Sequence, residues 1–107
     1  MPQYVITYLG GNQPSSSDEG RQNKAKYMEW LSSLGKKAVS PMNPFKNTCT
    51  INPDKSVNKG SKTAMSGYTI ITADSMDDVI NIAKACPFLE IGGSLEVSEL
   101  MQISAQK

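Results

Sequence analysis

Strand-like alternation and helix-like spacing succeed one another along this chain in a definite order. Tyr4-Val5-Ile6-Thr7-Tyr8-Leu9 repeats β-branched and aromatic residues at a period of two, the pattern of a half-buried strand, and Gly10-Gly11 stops it. Asn12 to Asp18 is polar, carries Pro14 and a run of serines, and reads as a surface loop. From about Glu19 or Arg21 to Leu34 the spacing becomes helical, with Lys24, Tyr27, Leu31 and Leu34 on one side and Met28 and Trp30 flanking it. Gly35 is expected as a left-handed C-cap, and Lys36-Lys37 suit the negative end of the helix dipole.

Lys37 to Val39 and Asn47 to Ile51 read as short strands separated by Ser40-Pro41-Met42-Asn43-Pro44-Phe45, because neither proline can donate to a central ladder. Asn52 to Lys62 reads as a hairpin or irregular connection. The last third is the most sharply punctuated. Ser66-Gly67 opens the alternating run Tyr68 to Ala73, and Asp74-Ser75 ends it. Ser75 is placed to accept the free amide of Asp78, while Asp77 and Asp78 put negative charge on a helix N-terminus, so a helix is expected from Met76. Val79, Ile82, Ala83 and Cys86 recur at i, i+3, i+4 and i+7, and Pro87 closes the helix. Gly92-Gly93 then turns into a final alternating run, with Leu95, Val97, Met101 and Ile103 on one face and Glu96, Ser98, Leu100 and Gln102 on the other.

The order strand, helix, one or two strands, strand, helix, strand fits α+β architecture: a ferredoxin-like plait (βαββαβ), one antiparallel sheet with two helices on one face. The 107 residues fit a single domain, 1–107, small enough that oligomerisation would help it bury apolar surface. The mixed character of the second sheet face suggests a homodimer that stacks two sheets face to face and encloses a pocket between them.

A net charge of +1 gives no basic field for nucleic acid, and no apolar run approaches the roughly 20 residues that cross a bilayer. Tyr4 to Leu9 is too short for a signal-peptide core, so a cytoplasmic location is expected. Charge is nonetheless uneven: Lys36 to Lys62 holds six lysines against Asp54, a balance of +5, while Asp74 to Glu99 holds six acids against Lys84, a balance of −5. These are either two solvated faces or two surfaces that attract across a subunit contact. Cys49 and Cys86 lack a C-x-x-C spacing and read as reduced thiols, Cys86 as a small core residue.

The chain contains no histidine, so acid–base chemistry would fall to a carboxylate, tyrosine, lysine or cysteine. Glu96 is the candidate catalytic residue, since burial on the second sheet face would raise its pKa. Ser98, one step along that face, could orient a ligand. Tyr8 and Tyr68 offer a hydroxyl together with apolar area, and Met42, Phe45 and Phe88 fall in segments bordering the expected mouth. Asp74, Asp77 and Asp78 are explained by a helix start; no metal or cofactor is expected.

Over almost its whole length the chain resembles the YCII-related (DGPF-type) domain family of dimeric α/β-barrel proteins. The resemblance lies in residues 4–11, Met28 to Leu31 with Leu34-Gly35, Asn43-Pro44-Phe45, Ser66 to Ile71 with Ala73-Asp74-Ser75, and Ala83 to Leu89 followed by Gly92 to Val97. It implies a ferredoxin-like fold, a dimer whose sheets form a barrel, a cleft near the carboxyl-terminal strand, and a bacterial cytoplasmic setting. The chain departs from the pattern in two places. Cys86-Pro87-Phe88 stands where some members carry a catalytic Asp-Pro-Tyr, and Val57-Asn58-Lys59-Gly60-Ser61 stands near the Asp-Gly-Pro-Phe signature. Three functions fit: a homodimer binding a small, partly apolar molecule; a small-metabolite enzyme, isomerase or cofactor-free monooxygenase, using Glu96 or a tyrosine; or a dimeric regulatory module without catalysis.

Overall fold

The alternation near the amino end becomes the spine of the molecule. In the computed structural model, which describes residues 2–11 and 16–101, the elements in chain order are β1 (Gln3–Gly10), α1 (Ser17–Leu34), β2 (Ala38–Pro44), β3 (Cys49–Ile51), β4 (Val57–Lys59), β5 (Met65–Thr72), α2 (Met76–Lys84) and β6 (Gly93–Glu99). Two 3₁₀ turns, Gly35–Lys37 and Pro87–Ile91, follow the helices. The main sheet runs β2-β5-β1-β6, antiparallel throughout, which is the ferredoxin-like α+β order; β3 and β4 pair separately as a hairpin. None of the described helices is long and apolar enough to cross a membrane.

Period-two burial decides which residues meet the helices. Tyr4, Ile6 and Tyr8 of β1 and Thr69 and Ile71 of β5 are buried, and they meet Trp30, Leu31 and Leu34 of α1 and Val79 of α2. Complete burial of Ile6, Ile71 and Val79 contributes about 1.5–3 kcal/mol each. Leu95 and Val97 of β6 pack against the same core. Trp30 is buried and donates its indole N–H to the Ile82 carbonyl at 3.0 Å, tying α1 to α2.

The helix signals act where the residue types place them. Ser75 accepts the Asp78 amide at 3.3 Å and α2 starts at Met76. Ser16 caps α1 through the Glu19 amide at 3.1 Å, so the helix starts at Ser17, earlier than its apolar stripe suggests, and Ser17 and Asp18 belong to its first turn. The rest of the expected loop, residues 12–15, lies outside the described residues. Gly35 has the expected positive φ of 54°, but its ψ of −126° leaves the left-handed helical basin and the chain tightens into the 3₁₀ turn.

The largest correction concerns Ser40 to Pro44. These residues do not interrupt two strands; they continue β2, including both prolines. Proline is tolerated because β2 is an edge strand, and two register shifts against β5, between Ala38 and Ser40 and between Ser40 and Asn43, absorb the mismatch. Asn43 pins the bulge: its Nδ2 donates to the carbonyls of Ser40 at 3.1 Å and Tyr68 at 3.2 Å. In the hairpin, the Asp54 carboxylate accepts from the Ser56 hydroxyl and amide, which hold its pKa below the usual carboxylate value. At the far end β6 stops at Glu99 and Met101 is 82% exposed, so the face expected to run on to it ends earlier; Gln102 and Ile103 lie outside the described residues. Because β2 and β6 are opposite edges, the lysine-rich and acid-rich segments adjoin opposite sides of the sheet.

Candidate functional site

The helix-facing row of β1 ends in an aromatic, and its partner on β5 is a glycine. Tyr8 stands opposite Gly67, so no β5 side chain covers the tyrosine ring there. A cavity of about 300 Å³ opens at this place, on the helix-covered side of the sheet. Tyr8 forms its base, Asn23, Lys24 and Tyr27 of α1 one wall, and Phe88 and Ile91 of the 3₁₀ turn another. The opposing side is made where β2 ends beside the start of β5, at Met42 to Pro44 and Ser66 to Tyr68.

Aromatic edges shape the interior. Tyr8 meets Tyr27 with centroids 5.8 Å apart at 76°, and Phe88 at 5.4 Å and 80°, the edge-to-face arrangement that ring quadrupoles favour. Phe88 reaches this position because two glycines make room. A Cβ on Gly93 would fall 2.2 Å from the Phe88 ring, and one on Gly11 would fall 2.9 Å from it. Gly92, with φ of 80°, serves the turn, whereas Gly93 serves the packing.

A directed chain of hydroxyls runs beneath the cavity. Thr69 donates its single proton to the Pro41 carbonyl at 2.7 Å, a carbonyl placed within the β2 bulge, so it must accept from Tyr8 at 2.5 Å. Tyr8 in turn accepts from Tyr27 at 2.9 Å. Thr69 is fully buried, and every polar group in this chain has a partner, as burial requires. Burial pushes the Tyr8 hydroxyl far above the ordinary phenol range. Tyr8 therefore stays protonated and can relay a hydrogen bond; it cannot serve as a phenolate base. The nearby Cys86 thiol, buried in the core, is pushed up by burial to about 11, which removes it as a nucleophile near neutrality.

The residues singled out from the sequence separate into two groups. Tyr8, Met42, Tyr68 and Phe88 all border the cavity, Tyr68 from a β5 position that its register partner Thr7 assigns to the outer sheet face. Phe45, 40% exposed, lies beside it with its ring 5.9 Å from Tyr68. Glu96 and Ser98 are elsewhere: on β6 they stand opposite Thr7 and Val5, exposed on the face away from the helices. Sequence reasoning missed Asn23, Lys24 and Tyr27 as site residues by assigning Tyr27 and Lys24 to a packing stripe. A signal was present in that stripe, whose second half, Leu31 and Leu34, is apolar while its first half is polar and aromatic. Thr69 had no signal at all, because its role depends on a bulge in another strand. Among the described residues no group of three His, Cys, Asp or Glu side chains could hold a metal ion.

Among solved structures the chain is similar to 5-chloro-2-hydroxyhydroquinone dehydrochlorinase (TftG) from Burkholderia phenoliruptrix AC1100, in complex with 2,5-dihydroxybenzoquinone. The similarity covers 92% of this chain and 93% of that one at 21% identity, with a TM-score of 0.59. It supports a shared fold. No curated protein matches the sequence. The profile of the YCII-related domain matches residues 4–104, nearly the whole chain, and the protein belongs to that family.

Proposed function

We propose that this YCII-related protein is a homodimer that binds a small, partly apolar molecule in the cavity over Tyr8. The observation that carries the reading is the cavity itself, about 300 Å³ walled by Tyr8, Tyr27 and Phe88 with a few polar groups at its edge. A mostly apolar concavity with sparse polar groups is the usual form of a small-molecule site. The dehydrochlorinase of similar fold, whose complex holds a small oxygenated ring, supports this class of ligand. Two features support the dimer. The outer sheet face leaves Val5, Leu9, Tyr68 and Ile70 only half-buried, and the oppositely charged segments adjoin opposite sheet edges, so two stacked copies would bring unlike charges together.

Native mass spectrometry tests both parts. A dimer with extra mass released on denaturation is the expected result, and a monomer that carries no mass after exposure to small aromatic probes would refute it. The enzymatic reading favours Tyr27 over Glu96 as the proton-handling group, because Tyr27 lines the cavity and Glu96 does not. On any substrate turned over, Tyr27→Phe would then lower kcat while Glu96→Gln would not; the reverse would place the chemistry on the outer face, beneath a partner sheet.

A further inference from the structure

The hydrogen-bonding capacity of the cavity is unevenly spent. Tyr27 commits its proton to Tyr8, and Asn43 turns its amide N–H groups inward onto Ser40 and the Tyr68 carbonyl. Among the described residues Asn23 makes one long contact, from Nδ2 to the Pro87 carbonyl at 3.4 Å. Lys24 is different. The two other described cations of α1 are paired, Arg21 with Asp18 and Lys26 with Glu90, but Lys24 has no ion pair among the described residues. Its helical neighbours at i±3 and i±4 are Arg21, Tyr27, Gly20 and Met28, so its own helix supplies no carboxylate. No Asp or Glu lines the cavity either. The site is thus an apolar, ring-walled hollow bordered by an exposed lysine, Lys24, that has no ion pair among the described residues. A cavity of about 300 Å³ is at the small end for ligand sites, fitting a molecule of about one ring.

Building on the cavity reading above, we infer that the ligand is a small planar anion, whose ring lies among Tyr8, Tyr27 and Phe88 and whose charged group is held by Lys24. The apolar walls exclude water from one side of the ion pair and so strengthen it relative to an exposed pair.

Benzoate and benzamide, nearly identical in shape and different in charge, separate this inference from the reading beneath it. Binding is measured by titration calorimetry and located by shifts of the Asn23, Tyr27 and Gly67 amides. The wild-type protein should bind benzoate about three- to tenfold more tightly than benzamide, the range set by one charge-assisted contact near the surface. Lys24→Met should bring benzoate down to the benzamide affinity and leave benzamide unchanged. Lys26→Met, which removes a cation outside the cavity lining, should change neither. Equal affinity for the two probes at these amides would overturn the inference while sparing the cavity reading; failure of both probes to bind at their solubility limits would overturn both. A benzoate preference that survives Lys24→Met would also refute the assignment.

Discussion

The two faces of the main sheet are made from alternate residues of the same strands, and they differ in what covers them. Within β1, Tyr4, Ile6 and Tyr8 are 2%, 0% and 6% exposed beneath the helices, while Val5, Thr7 and Leu9 remain half-buried on the other side. On β6 the same division puts Leu95 and Val97 against the core and leaves Glu96 and Ser98 exposed. The inner face is complete within one chain and holds both the core and the cavity. The outer face carries apolar area that the described residues leave only half-covered, and it is the face on which the proposed dimer would pack. A substitution's consequence should therefore depend on parity along the strand more than on residue type.

The largest expected effect breaks or keeps that contrast directly. Ile6→Ala removes a fully buried side chain from between the sheet and helices and should cost about 2–5 kcal/mol in urea unfolding. Val5→Ala, the next residue, should cost under about 1 kcal/mol in dilute protein and show its effect as a weakened dimer at higher concentration. Equal losses in dilute protein would mean that the outer face is packed within the monomer.

Gly93→Ala comes next. The added methyl would overlap the Phe88 ring, whose position closes one wall of the cavity, and overpacking of this kind costs about 1–3 kcal/mol. Phe88→Leu in the same chain should recover most of the loss, since it removes the atoms that collide. A Gly93→Ala protein as stable as wild type would show that the ring moves freely aside.

Thr69→Val is smaller and tests the polar part of the inner face. It keeps the shape and removes the acceptor of Tyr8 and the donor to Pro41, at a cost of about 1–2 kcal/mol. The double variant Tyr8→Phe, Thr69→Val removes both partners and should be closer to wild type than the sum of the single changes. Additive losses in this cycle would show that the two hydroxyls do not interact.

How much of this was legible depends on whether a signal was local. The cap at Ser75 and the inward row of β1 depend on residues a few positions apart, and each formed where the sequence places it; the stripe of α2 holds through Val79, Ile82 and Ala83, but the helix ends at Lys84, so Cys86 lies beyond it and Pro87 opens a 3₁₀ turn. Pro41 and Pro44 misled because proline's meaning depends on strand order: a central strand excludes it and an edge admits it, and edge position is a property of the whole sheet. The site was half legible for the same reason. Tyr8, Met42, Tyr68 and Phe88 stand out as aromatic or apolar residues near element ends, but the partnership of Tyr27, Tyr8 and Thr69 spans three elements. Glu96 was singled out because it is a carboxylate on the expected second face of a mixed strand, and no local pattern states that the cavity opens on the other side.

The smallest effect contrasts the inner and outer environments through pH. Burial holds the folded-state Cys86 thiol at about 11 against an ordinary value of 9.0, even though a hydrogen bond to the Phe88 backbone pulls the other way. The unfolded chain therefore loses this proton first. Stability from Cys86 is fully present below pH 9 and declines as pH rises toward 11, because across that window the folded state binds more protons than the unfolded one. The buried Tyr8 hydroxyl is raised in the same direction and adds to the decline only above its ordinary value of 10.0. Cys86→Ala should thus flatten the loss of stability between pH 9 and 11 and leave in place only the part that Tyr8 adds above pH 10, whatever it does to stability at neutral pH. Equal slopes for wild type and Cys86→Ala would mean that water reaches the thiol, and that the core beside the Pro87–Ile91 turn, on which the placement of Phe88 depends, is open to solvent.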